Sequence, residues 1–137
     1  MGFSTANANS ILDLRFGSVA YTPPVTYYIG LSMTLPTDTG GSVSEPSGGS
    51  YARVAITNST DWVAASLGSK SNAVPFVFPT ATANWTSTLL LGWWVMYDSL
   101  SGGVFQDWGV ITTPRAVANT DTFTLPAGDV IITLQSA

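Results

Sequence analysis

Apolar residues recur at alternate positions, or in short unbroken runs, over most of this chain, and a period of two predicts strands. Residues 25–32 (VTYYIGLS) are β-branched and aromatic and stop before Leu35-Pro36. In residues 51–57, Tyr51, Arg53, Ala55 and Thr57 alternate with Ala52, Val54 and Ile56, which turns one apolar face inward. Residues 73–78 (AVPFVF) read as a strand with Pro75 at an edge or bulge. Residues 88–97 (TLLLGWWVMY) are the most apolar segment, a central strand buried on both faces or against a neighbouring chain. Asp98-Ser99-Leu100-Ser101-Gly102-Gly103 turns the chain, and residues 104–110 return as the second arm of a hairpin. Residues 122–125 and 130–134 form a last pair, joined by the turn-forming Pro126-Ala127-Gly128-Asp129.

A helical period occurs once. Ser10 is placed to cap a short turn in which Ile11, Leu12, Leu14 and Phe16 are apolar and Gly17 ends the element. Residues 1–10 then form an extended N-terminal arm. Residues 37–50 (TDTGGSVSEPSGGS) make a polar loop too long for a tight hairpin, and residues 58–71 are a second irregular stretch carrying Trp62. Six or seven strands and almost no helix predict an all-β fold. The expected architecture is a single antiparallel β-sandwich domain over residues 1–137, jelly-roll or immunoglobulin-like, with one short N-terminal helix. A length of 137 residues leaves room for one ordinary core.

Composition narrows the chemistry. Cys and His are both absent, which excludes thiol chemistry, Cys/His metal sites and any His general base. Paired acids for glycoside cleavage would have to come from Glu45, Asp98 and Asp107. Each has a structural role instead: Asp98 opens a turn, Asp107 lies within a strand and Glu45 sits in a Gly/Ser loop. Lys70 has Leu67 where a Ser-x-x-Lys nucleophile would stand. Asp38 and Asp61 lack the acidic ladder of a calcium loop. The chain is therefore expected not to be an enzyme and to need no cofactor or metal.

The partners are bounded in the same way. Arg15, Arg53, Lys70 and Arg115 are scattered singly in a chain of net charge −4, so no nucleic acid is expected. The longest apolar run, residues 89–97, is interrupted by Gly92 and is far below the ~20 residues of a membrane helix. The N-terminal residues lack the basic start and apolar core of a signal peptide, so synthesis without export is expected. Only 9% of residues are charged, against about 25% in an ordinary soluble domain. A surface so poor in ions is expected to be covered by other copies or by a larger assembly. Trp93 and Trp94 are adjacent, so on a strand they point to opposite faces, and at least one belongs to core or interface.

The order Tyr27-Tyr28-Ile29-Gly30-Leu31-Ser32, Leu35-Pro36-Thr37 and Glu45-Pro46-Ser47-Gly48-Gly49-Ser50-Tyr51-Ala52-Arg53-Val54 resembles a family of small structural proteins of tailed bacteriophages. Further matches are Gly68-Ser69-Lys70-Ser71-Asn72, Phe78-Pro79-Thr80-Ala81-Thr82-Ala83-Asn84-Trp85, Trp108-Gly109 and Leu125-Pro126-Ala127-Gly128. The Glu-Pro-Ser-Gly-Gly-x-Tyr-Ala-Arg run is the most specific of these. The chain departs from the family in having Thr86 where relatives have Gly, and bulky Trp93 and Trp94 where theirs are smaller.

The resemblance implies a virion structural protein made in the bacterial cytoplasm, with no catalytic residues to carry over. Its first expected role is a capsid decoration (cement) protein, a homotrimer bound to the major capsid protein lattice. The alternative is a tail or tail-fibre component, structural or receptor-binding. The N-terminal arm and residues 37–50 are expected to reach neighbours. Tyr51, Arg53, Trp93, Trp94 and Glu45 are the expected interface residues, with the Tyr51/Arg53 pair as anchors.

Overall fold

A computed structural model describes residues 2–134 of the chain. Its elements, in chain order, are β1 (Gly2–Phe3), α1 (Thr5–Phe16), β2 (Thr26–Ser32), β3 (Val54–Thr57) and β4 (Ser69–Ser71), then β5 (Phe76–Val77), β6 (Leu91–Tyr97), β7 (Phe105–Arg115), β8 (Thr124–Leu125) and β9 (Ile131–Thr133). The fold is all-β and antiparallel with one short helix. A five-stranded sheet of order β1-β7-β6-β2-β3 forms one layer, and two ribbons, β4–β9 and β5–β8, supply strands beside it.

The uncharged run of β6 takes the middle of the sheet. It pairs with β2 through Leu31↔Trp94 and Ile29↔Met96, and with β7 through Trp94↔Gly109 and Met96↔Asp107. Directly opposed residues share a face, so Ile29, Leu31, Trp94 and Met96 form the inner face. They meet Phe76, Phe78, Trp85, Phe123, Leu125 and Val130 from the ribbons and connecting loops in one core. Trp94 is 1% exposed, and its indole lies across Gly109, where an added Cβ would collide with the ring. A glycine on β7 is what admits so large a residue to the sheet centre.

Several expected elements fall elsewhere. The N-terminal segment is not an extended arm; Met1 lies outside the described residues, but Gly2 and Phe3 pair with Trp108 and Asp107. Ser4, not Ser10, caps the helix: its Oγ accepts from the Asn7 amide at 3.1 Å and donates to the Phe105 carbonyl at 2.9 Å. Ser10 sits inside the helix and donates to the Ala6 carbonyl at 3.1 Å, the back-bond that lets serine stay within a helix. Gly17 ends the helix as expected, its N–H on the Asp13 carbonyl at 2.9 Å. β7 runs on through Pro114 to Arg115, past the expected end at Val110.

The last two strands do not pair with each other. β8 pairs with β5, and β9 pairs with β4, inside the stretch expected to be irregular. Asn72 is the reason. Its side chain is buried, with Oδ1 accepting from the amides of Gly128 and Val130 at 3.0 and 2.9 Å and Nδ2 donating to the carbonyls of Val74 and Pro126 at 2.8 and 2.9 Å. The Pro126–Asp129 turn is thus held to the middle of the chain and carries it from one ribbon to the other. Asn72→Leu should cost about 2–3 kcal/mol in urea unfolding, because buried amides lose their acceptor; a loss below about 0.5 kcal/mol would remove Asn72 from this role.

Candidate functional site

The sheet's two faces are dressed differently. On the outer face, residues 37–50 fold back over the sheet: Met33 N–H donates to the Ser44 carbonyl at 2.9 Å, and Trp85 Nε1 donates to the Gly49 carbonyl at 2.7 Å. Glu45, Tyr51 and Arg53 clamp this loop. Arg53 donates through Nε to both Glu45 oxygens at 3.1 and 3.3 Å and through Nη2 to Oε2 at 2.6 Å. Its Nη1 donates to the carbonyls of Ser99 and Gly102 at 2.9 and 2.8 Å. The guanidinium lies 3.6 Å from the Tyr97 ring centroid.

Tyr51 completes the clamp, its hydroxyl donating to Glu45 Oε1 at 2.7 Å and accepting from the Leu31 amide at 2.9 Å. Burial, with the Glu45 carboxylate beside it, holds this hydroxyl well above the ordinary tyrosine range, so it stays a donor. All three side chains meet over Gly30, where any Cβ would intrude.

These placements correct the expectation that Tyr51 and Arg53 are exposed anchors. The Arg53 side chain is 8% exposed, and its donors are committed within the chain. Glu45 is its ion-pair partner. Trp94 is core. Of the five expected interface residues, Trp93 alone presents a partly open surface, on the outer face opposite Val110 and beside the Val95–Trp108 pair. Trp108 donates through Nε1 to Asp38 at 3.0 Å, tying the long loop to the same strip.

The other opening lies between α1, the sheet and the β4–β9 ribbon, a groove of about 550 Å³. Its walls include Phe3, Ile11, Leu14, Tyr27, Trp62, Met96 and Ile132, and Asp107 sits on its floor. Asp107 is 3% exposed and receives one side-chain donor, Asn7 Nδ2, at 3.2 and 3.5 Å from its two oxygens. Asn7 in turn accepts from the Tyr21 hydroxyl at 3.3 Å. Burial pushes the Asp107 carboxyl up to about 7, and the bond from Asn7 pulls weakly the other way.

Sequence reasoning placed Asp107 in a strand but missed the groove. One signal was there: counting by twos from Gly109, the glycine beneath Trp94, puts Asp107 on the inner face. Among the described residues no group of three or more His, Cys, Asp or Glu is arranged to hold a metal ion.

Two measurements check this geometry. Arg53→Ala should cost about 3 kcal/mol, because Glu45 is left partly buried without its cation, and should raise amide exchange through residues 37–50. Arg53→Lys should recover less than half of the loss, since an ammonium cannot span Glu45 and two carbonyls.

Asp107 sets the pH dependence. Its folded value near 7 lies above the ordinary carboxyl value of 3.8, so the folded chain holds a proton that the unfolded chain releases between those limits. Stability should therefore fall as pH rises from about 4 to about 7 and level off above. Asp107→Asn should flatten that slope and be the more stable protein at pH 8; an unchanged slope in chemical denaturation would contradict the assignment.

A comparison with curated proteins gives no match. The profile of the family described as Podophage GP4 fiber I protein gp80 matches residues 2–133, which takes in the sheet, both ribbons, the clamp and the groove. That span is nearly the whole chain. The chain belongs to this podophage fibre protein family and is a structural protein of a tailed-phage virion.

Proposed function

We propose that the protein is a structural component of a tail fibre, working by adhesion to copies of itself and to neighbouring virion proteins, without catalysis. The observation that carries this reading is the family match over residues 2–133. The surface agrees with it. The one ion pair among the described residues, Arg53–Glu45, is spent on holding the chain's own loop. Large apolar side chains meanwhile stand open on α1 (Leu12, Leu14, Phe16), on the sheet (Val110) and around the ribbons (Leu67, Ile131, Leu134). A solitary soluble domain gains nothing from such a distribution, whereas a repeated virion subunit buries it between copies.

A capsid decoration role, with the major capsid protein as partner, was the first expectation from sequence. The fibre description of the matching family favours the tail. Antibody raised against the purified chain should label the tail region of intact particles in negative stain. Label spread regularly over the head would overturn the fibre reading in favour of decoration.

A further inference from the structure

Helix α1 is apolar on two opposite sides. Asn7, Ile11 and Leu14, spaced four and three residues apart, line the groove. Leu12 and Phe16, one turn apart, lie on the far side and are 54% and 76% exposed. A helix apolar all round is ordinarily buried all round, yet α1 has only the groove beneath it and solvent beyond. Between Leu12 and Phe16 in sequence stands Arg15, whose guanidinium rests 5.4 Å from the Phe16 ring centroid and has no carboxylate partner among the described residues. The outer side of α1 is thus an apolar strip carrying an unpaired cation.

The groove is the complement of that strip. It is apolar along its walls, has the volume of a pocket that encloses several side chains, and holds on its floor a buried carboxylate with a single side-chain donor. Lys70, the cation on its wall, directs Nζ to the Val63 carbonyl at 2.8 Å, away from Asp107. We propose that the outer strip of α1, with Leu12, Arg15 and Phe16, docks into the α1–sheet groove of a second copy, with Arg15 directed toward Asp107. The strip and the groove are different surfaces of one chain, so the contact is head-to-tail, and repeated application closes a ring or extends a line. This rests on the self-association reading above and gives it a place on the molecule.

The absence of Cys from the sequence makes a clean test possible. Asn9→Cys marks the outer side of α1 one turn before Leu12, and Ala65→Cys marks the groove rim of the other copy. Under mild oxidation, a mixture of the two single variants should form the mixed disulfide at least about tenfold faster than either variant forms its own. Arg15→Glu should weaken self-association about tenfold or more, and Asp107→Asn should weaken it too, while Arg15→Lys stays within a few-fold of the parent. Both Arg15 positions are exposed, so circular dichroism should confirm that those variants fold.

Asn9→Cys alone cross-linking as fast as the mixture would replace this contact with a symmetric helix–helix one. Association that persists undiminished in Arg15→Glu, with no mixed disulfide, would overturn the docking site and leave self-association standing. A chain that stays monomeric and never cross-links would overturn both.

Discussion

A single guanidinium organises the outer face of this protein. Arg53 grips Glu45, two carbonyls of the β6–β7 turn and the Tyr97 ring together, so four stretches distant in sequence are locked over Gly30. Taking both charges out of water is costly unless every donor and lone pair is met, and here the Tyr51 hydroxyl and two backbone carbonyls supply what the ion pair leaves over. The consequence for function is indirect. A loop rich in Gly and Ser, which by composition would move freely, becomes a fixed cover for the sheet, and the strongest polar contact of the chain is turned inward. What remains to face neighbours is largely apolar.

The inner side follows the opposite logic. There the sheet is covered by ribbons of two and three residues and by a helix that stands off far enough to leave a groove. Asp107 at its floor is tolerated because burial favours its protonated form and Asn7 meets one oxygen. Had β7 carried an apolar residue there, the helix could have closed onto the sheet. Retaining a carboxyl beneath a separated helix costs the isolated chain stability, which fits a surface completed by assembly.

The sequence made the strands legible wherever one face had to be apolar. β2, β6 and the hairpin into β7 lie where a period of two put them, because the inner residues of these strands define the core. The two-residue strands β1, β5 and β8 and the polar Ser69–Ser71 strand have too few positions to show a period. Their pairing is fixed by remote groups such as Asn72, which no local window reveals. The helix start was misplaced because Ser4 and Ser10 are equally good caps in sequence; only pairing of Gly2 and Phe3 with β7 selects the first. The expected interface set failed on Glu45, Tyr51 and Arg53 for one reason: alternation tells which side of a strand a residue takes, but not that a distant loop will cover that side.

At the centre of the account is the statement that the open apolar surface exists to be covered by identical copies. Sedimentation equilibrium of the unmodified chain, from micromolar to near-millimolar concentration, addresses it most directly. The account predicts a mass that rises with concentration toward a whole multiple of 14.4 kDa. A mass fixed at that of one chain over the whole range would contradict it.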